Sequence, residues 1–157
     1  MQPSEPWTRF EPRRENIIKM LHAAQEEAGA RSSVSDEALA RIAEYLDIPL
    51  AEAAGVVSFY QSFSRRPRGR HVVRVCDSLS CRIRGSIGVY DRLRARLGVG
   101  RNETTPDGEF TLEIVNCLGS CDTAPNVMID DRLYERVTPE EVDELLDSVV
   151  EPGRVVS

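Results

Sequence analysis

All four cysteines of this 157-residue chain fall into two closely spaced pairs. Cys76 and Cys81 are separated by four residues, and Cys117 and Cys121 by three. Four thiolates can hold a zinc ion or an iron–sulfur cluster. The two-residue gap common in structural zinc knuckles is absent, whereas plant-type ferredoxins begin with a four-residue gap. The spacing therefore favours a cluster over zinc. Two disulfides, or four unrelated buried thiols, remain as alternatives, and disulfides would need an oxidising compartment.

Each cysteine pair follows a short run of residues typical of a β-strand. Residues 71–75 precede Cys76 and residues 111–116 precede Cys117, and both runs are rich in β-branched side chains. Each pair is therefore expected in a loop at the carboxyl end of a strand, where α/β domains tend to place their sites. If the two strands are neighbours, the loops meet and the four thiols form one pocket. Gly85 and Gly119 would let the backbone approach such a group closely.

The first part of the chain has the apolar period of helices. The pattern predicts a helix from about Arg13 that stops at Gly29, a second capped by Ser35, and a third opened by Pro49. Trp7 is expected to pack the irregular lead-in against these helices. A bulky apolar stripe on the third helix is expected in the core: Val56, Phe59, Tyr60 and Phe63.

An arginine-rich segment, residues 65–70, contains a proline and a glycine and predicts a solvated linker. Beyond it the pattern predicts a helix from about Ile83 to Leu97 with Ile87 on its apolar side, then a hairpin over residues 127–134. A last helix should begin at a capping box formed by Thr138 and Glu141. These elements predict two domains, a helical one over residues 1–66 and an α/β one over residues 67–157. The predicted fold class is α+β.

Composition narrows the range of functions. Charged residues make up 29% of the chain and apolar residues 41%, the balance of a soluble globular protein. A net charge of −6 is too acidic for a general nucleic-acid binder, so no nucleic-acid partner is expected. The first residues do not resemble a signal peptide, and no apolar run reaches the length of a membrane span. A cytoplasmic protein without direct membrane insertion, with reduced thiols, is expected.

The cysteine pattern, with its surroundings, resembles one known family, the thioredoxin-like [2Fe-2S] ferredoxins. Its members include the small subunit of respiratory complex I (the E subunit of NADH-quinone oxidoreductase), the gamma subunit of NAD-dependent formate dehydrogenases, and the small subunit of NAD-linked or electron-bifurcating hydrogenases. Gly85, Leu118–Gly119 and Ala124–Pro125 match the family around the cysteines, and residues 55–63 and 105–112 look like further signatures. The likeness extends over most of the chain, from about Glu15 to Val149.

The resemblance implies a fold, a cofactor and a set of ligands. The fold would be an N-terminal three-helix bundle followed by a thioredoxin-like α/β domain that carries one [2Fe-2S] cluster. Neighbouring donors could tune the cluster through bonds to sulfur, and the candidates are Ser78, Ser80, Gly119 and Ser120. The implied iron ligands are Cys76, Cys81, Cys117 and Cys121.

The function that the resemblance implies is electron transfer within a multi-subunit NAD(H)-linked oxidoreductase. A larger iron–sulfur partner subunit would bind FMN and NAD(H), further catalytic subunits would complete the complex, and this chain would exchange single electrons with the flavin. No catalytic residue is expected, and no glycine-rich dinucleotide loop is present in the sequence. A zinc-stabilised interaction module and a stand-alone thioredoxin-like ferredoxin are the alternatives. The parent complex stays open among complex I, formate dehydrogenase and hydrogenase.

Overall fold

The computed structural model describes residues 5–29 and 33–150. Its contacts divide the chain after Arg68 into two units, Met1–Arg68 and Gly69–Ser157. The first unit is helical, and the second combines helices with a β-sheet. This mixture of helix and sheet agrees with the α+β class predicted from the sequence. No helix within the described ranges is both long and apolar enough to cross a membrane.

The first unit contains three α-helices: α1 is Ile17–Glu27, α2 is Asp36–Tyr45 and α3 is Leu50–Phe59. Ser35 caps α2 as predicted, because its hydroxyl accepts a hydrogen bond from the backbone N–H of Ala38 at 3.1 Å. One apolar core joins the three helices to the lead-in. Its buried members include Trp7, Met20, Leu21, Val34, Leu39, Ile42, Ala53, Val57 and Phe63.

The prediction that the bulky stripe of α3 lies in the core is wrong for Phe59 and Tyr60. The helix ends at Phe59, and Tyr60 already has an extended backbone. The buried side chains of α3 are Ala53 and Val57, while the side chain of Phe59 is 77% exposed and that of Tyr60 is 42% exposed. Of the predicted aromatic stripe, the buried ring is that of Phe63. Two large aromatic side chains therefore remain on the surface of this unit.

The segment after α3 is fixed by a buried glutamine. The side-chain amide of Gln25 donates to the carbonyl of Ser62 at 2.9 Å and accepts from the N–H of Ser64 at 3.0 Å. The rings of His22 and Phe63 also pack, with centroids 4.7 Å apart. The predicted linker is only partly solvated, since Arg68 is buried and donates to the carbonyl of Ser62.

The second unit is built on a five-stranded sheet with the order β2-β3-β1-β4-β5. Its central strands β1 and β3 run parallel, and the other neighbours are antiparallel. The predicted hairpin is confirmed as the pair β4 and β5. The short edge strand β2 was not predicted. The five strands are β1 His71–Cys76, β2 Glu103–Thr104, β3 Phe110–Val115, β4 Val127–Ile129 and β5 Arg132–Tyr134.

The helices of the second unit are α4 Leu79–Ile83, α5 Ser86–Leu97 and α6 Val142–Val150. The single predicted helix from Ile83 to Leu97 is thus two helices, because Gly85 adopts a left-handed φ of 97° between them. Its predicted end at Gly98 is confirmed. The capping box of Thr138 and Glu141 is also confirmed, in the turn that leads into α6.

The core of this unit lies on one face of the sheet. Side chains from β1, β3 and β4 pack there with α5 and α6, among them Val73, Val75, Leu112, Val127, Ile129, Val89, Leu93, Val142 and Leu146. The predicted apolar side of α5 needs one correction. Ile87 is exposed and the helix buries Val89 instead, since the helix starts after Gly85 with a different face inward.

Candidate metal centre

The two cysteine loops leave the sheet side by side. Cys76 is the last residue of β1, and its register partner Val115 is the last residue of β3. Because the two strands are parallel neighbours, the loops that follow them start at the same edge of the sheet. The register confirms that the two strands are neighbours and that the cysteine loops start at the same edge of the sheet. That the four thiols form one pocket stays a prediction.

The first cysteine pair is buried. Cys76 and Cys81 lie with Ala124 in a small apolar cluster against which Leu118 packs. Ser78 connects the pair, since its hydroxyl caps α4 by accepting from the N–H of Cys81 at 3.4 Å and also accepts from the thiol of Cys76 at 3.3 Å. The cap explains why the helix starts at Leu79, earlier than the sequence pattern predicted, and why Cys81 falls on its inner side.

The second cysteine pair is exposed, and its sulfur atoms lie 3.6 Å apart. The turn between them depends on Gly119, whose φ of 83° is left-handed and favours glycine. In this conformation the N–H of Gly119 donates to the sulfur of Cys117 at 3.3 Å. Cys121 begins a single 3₁₀ turn, Cys121–Thr123, that leads toward Ala124.

The thiols influence one another across the two loops. Burial raises the pKa of Cys81 above its ordinary value. Burial would also raise the pKa of Cys76, but hydrogen bonds from Ser78, with smaller contributions from other donors, hold this pKa below its ordinary value. The pKa of Cys121 is raised by the hydrogen bond with Cys117 and the charge of Cys117, and further by the charges of Cys76 and Cys81. The pKa of Cys121 thus responds to the charges of both cysteine pairs.

The donor set fits a binuclear cluster. Two sulfurs on one tetrahedral metal with bonds of about 2.3 Å lie about 3.8 Å apart, close to the observed separation of Cys117 and Cys121. Among residues 5–29 and 33–150, no three His, Cys, Asp or Glu side chains are grouped to hold one metal ion. All four cysteines are free thiols. Two pairs of thiolates match a [2Fe-2S] cluster, in which each iron takes two cysteines.

The four predicted donors to sulfur occupy different positions. Ser78 and Gly119 contact cysteine sulfurs as described above. Ser80 is exposed on α4, and its carbonyl accepts from the N–H of Arg84. The hydroxyl of Ser120 bonds to Thr123 at 2.9 Å and to Glu135 at 3.1 Å. The ligand and donor roles of all these residues stay predictions.

One residue near the cysteines was not predicted from the sequence. Asn126 is buried at the start of β4 and bonds to residues of both loops. Its position directly after the matched Ala124–Pro125 pair is the one sequence signal that could have pointed to it. A buried asparagine must satisfy its amide, and such residues usually fix backbone nearby.

These features define a class of protein with two cysteine pairs in the loops that follow neighbouring strands of a mixed sheet. The family model of the thioredoxin-like [2Fe-2S] ferredoxins matches residues 4–150. The chain therefore belongs to the thioredoxin-like [2Fe-2S] ferredoxin family.

Individual relatives agree with this assignment. The E subunit of NADH-quinone oxidoreductase from Pseudomonas aeruginosa is 43% identical over 141 residues, which is 90% of this chain and 83% of the relative. The same subunit from Escherichia coli (strain K12) is 41% identical over 138 residues, covering 88% of this chain and 81% of the relative. Among solved structures, an NAD+-reducing [NiFe]-hydrogenase matches 83% of this chain at 26% identity with a TM-score of 0.67. This chain spans only 22% of the matched hydrogenase chain.

Proposed function

We propose that this chain is the [2Fe-2S] electron-transfer subunit of a multi-subunit NAD(H)-linked oxidoreductase. The observation that carries the proposal is that the two loops with the cysteine pairs follow the parallel strands β1 and β3 at the same edge of the sheet. The cluster would accept and return one electron at a time, held by Cys76, Cys81, Cys117 and Cys121. With Cys76 bound as a thiolate, Ser78 would donate its O–H to that sulfur, and the N–H of Gly119 already donates to the sulfur of Cys117.

The NAD(H) and flavin chemistry belongs, in this proposal, to a partner. The relatives from NADH-quinone oxidoreductase and the NAD+-reducing hydrogenase support an NAD(H)-linked complex. A larger iron–sulfur subunit would bind FMN and NAD(H), and further catalytic subunits would complete the assembly. This chain would exchange single electrons with the FMN. Complex I, a formate dehydrogenase and a hydrogenase all stay open as the parent complex.

We further propose that the two units act as domains with separate tasks. The first would form a three-helix bundle that helps attach the chain to its partner, and the second would hold the cluster. Phe59 and Tyr60 support a docking role for the first, because their rings pack edge to face at 5.1 Å and both remain exposed. Large exposed aromatic side chains are common anchors in protein interfaces.

A second exposed apolar patch lies beside the cysteines. Leu79, Ile83 and Ile87 are 75%, 77% and 51% exposed. Leu79 and Ile83 stand two positions before and after Cys81 in α4. Contact with the flavoprotein through this patch would bring its flavin toward the cluster, which a single-electron exchange requires.

The proposed function is tested by reduction of the cluster with NADH. We expect anaerobically purified protein to contain two iron atoms and two labile sulfides per chain, as the composition of a [2Fe-2S] cluster requires. NADH should generate the EPR signal of the reduced cluster when the co-purifying flavoprotein is present, and no signal from this chain alone. Zinc in place of iron and sulfide would support the interaction module. A cluster with no flavoprotein bound would support the stand-alone ferredoxin.

Placing a charge in the apolar patch should slow this reduction. We expect Ile83→Glu to lower the rate at which the flavoprotein reduces the cluster by roughly tenfold, because a carboxylate would have to be desolvated in the contact. Stopped-flow measurement with NADH gives the rate, and iron analysis should show unchanged cluster content. Val150→Glu, at another exposed apolar position in the same unit, is the matched control. Equal rates for the two variants would contradict docking through this patch.

Charged neighbours of the cysteines should tune the reduction potential. Asp77 and Arg82 form an ion pair at 3.0 Å, and Asp122 is exposed. Adding an electron to an anionic cluster is opposed by a nearby carboxylate and favoured by a nearby cation. We expect Asp77→Asn to raise the potential and Arg82→Gln to lower it by about 20–40 mV, the equivalent of about 0.5–1 kcal/mol for a surface charge.

The same titration compares the effect of a carboxylate in an ion pair with that of a carboxylate exposed to water. Asp122→Asn is expected to raise the potential less than Asp77→Asn, because water screens an exposed carboxylate more strongly. Redox titration monitored by EPR measures all three values. Identical potentials in the three variants would mean that burial and backbone donors alone set the value.

A further inference from the structure

Asn126 is the most deeply buried polar side chain near the cysteine loops, with 1% of its surface exposed. Its side-chain amide donates to the carbonyl of Ser120, the residue that directly precedes Cys121. Its side-chain oxygen lies 3.3 Å from the hydroxyl of Thr123, on the other side of Cys121. That hydroxyl has one hydrogen and also lies 2.9 Å from the carboxylate of Glu135, so the bond to Ser120 is what ties the Asn126 side chain to this segment.

The backbone of the same residue reaches the other cysteine loop. The carbonyl of Asn126 accepts from the N–H of Cys76 at 3.2 Å, which extends the pairing of β1 with β4. One residue thus bonds to Cys76 through its backbone and to the segment around Cys121 through its amide.

Other hydrogen bonds also reach the carbonyl of Ser120. The carbonyl of Ser120 also accepts from the N–H of Thr123 at 3.3 Å and from the Thr123 hydroxyl at 3.2 Å. Both of these donors lie within the same 3₁₀ turn, so they shape the turn without tying it to the sheet. The N–H of Arg136, beyond β5, also holds this turn by donating to the carbonyl of Thr123 at 2.9 Å. The Asn126 amide ties the turn to the residue directly before β4, a strand fixed by pairing with β1.

We propose that Asn126 is a positioning residue that sets the spacing between the two cysteine loops, and so holds the four thiols at the separation that the cluster needs. The inference rests on the proposed function, since it assumes that these thiols bind the cluster. Asn126 does not touch the metal in this proposal. It acts by fixing the backbone next to Cys121 and by accepting a hydrogen bond from the N–H of Cys76.

The experiment compares Asn126→Ala with wild-type protein, both reconstituted with iron and sulfide. Loss of the amide leaves the Ser120 carbonyl without its tie to β4, so the second loop should drift from the first. We expect a cluster lifetime in the presence of an iron chelator that is shorter by roughly tenfold or more. The EPR g-values of the reduced cluster should also shift, because the sulfur geometry changes. A change that only lowered overall stability would shorten the lifetime without moving the g-values.

Thr111→Val is the matched control. It removes a buried hydroxyl that bonds to the N–H of Gly69 at 2.6 Å and to Thr104 at 2.8 Å. It lies in β3 opposite Val72, toward the far end of the strand pair from Cys76 and Val115. This variant should keep the wild-type lifetime and g-values, although it also loses buried hydrogen bonds.

Three outcomes would count against these proposals. Wild-type protein that takes up no cluster would overturn the proposed function itself. A wild-type cluster with equal lifetimes and g-values in Asn126→Ala and Thr111→Val would overturn only the role of Asn126. If Asn126→Ala does not fold as apo-protein by circular dichroism, Asn126→Ser is measured instead, since it retains a short donor. If both Asn126 variants fail to fold while Thr111→Val folds, Asn126 is required for folding of the second unit rather than for the spacing of the two loops.

Discussion

Replacement of Cys76 or Cys121 by serine is expected to remove the cluster from the protein. Serine keeps the size of the side chain but offers an oxygen that stays protonated at neutral pH, whereas iron in such clusters is held by thiolates. Each variant breaks a different thiol pair, so the two together test the pairing seen in the structure. We expect less than about a tenth of the wild-type iron and labile sulfide, with the loss of visible absorbance as a second readout.

A matched control for this experiment is Ser80→Ala, which alters an exposed side chain in α4 next to Cys81. It should retain the full cluster. Because Cys76 is buried, circular dichroism of the apo-proteins must show that the serine variants still fold. Normal iron and sulfide content in both Cys76→Ser and Cys121→Ser would show that the ligand assignment is wrong.

A chain that begins at Gly69 is expected to keep its cluster and to bind the flavoprotein weakly. The second unit starts at this residue and has its own apolar core, which includes Val73, Leu93 and Leu112. The four cysteines all lie within it. Removal of the first unit takes away the exposed Phe59 and Tyr60, so the dissociation constant for the partner should rise by roughly tenfold or more, as loss of aromatic anchors commonly causes.

The matched comparison is the full-length double variant Phe59→Ala, Tyr60→Ala. It keeps the first unit and its core, since neither ring is buried. Titration of each form against the flavoprotein, with EPR to confirm the cluster, gives the affinities. Wild-type affinity in the truncated form would contradict a docking role for the first unit. Weak binding by the truncation with wild-type affinity in the double variant would assign docking to a different surface of that unit.

The arrangement of the cysteines could be predicted because it follows from simple rules. β-branched runs before Cys76 and Cys117 indicated two strands, and parallel neighbours place their following loops together. The caps at Ser35 and Thr138 were equally predictable, because a hydroxyl at a helix start satisfies a specific N–H group. Strand formation and helix capping depend on residues a few positions apart, so the local sequence is enough to predict them.

Apolar period and residue type do not fix where a helix begins or ends, or which residues of different strands meet. The apolar stripe of α3 did not reveal that the helix ends at Phe59, so two aromatic side chains were wrongly placed in the core. Ser78 was correctly placed beside the cysteines, but its capping of α4 was not foreseen. The role of Asn126 is visible only once β4 is paired with β1, since its partners are six residues away and on a different strand.

The contrast between the buried and the exposed cysteine pair has a consequence for the cluster itself. On the proposed ligand assignment, one iron is held by Cys76 and Cys81 inside the protein and the other by Cys117 and Cys121 at the surface. Water stabilises added charge better than an apolar interior does, so the extra electron should reside on the outer iron. The two metals would then be unequal in valence when reduced. The exposed pair, Cys117 and Cys121, would also be the part of the site that oxygen or a chelator reaches first.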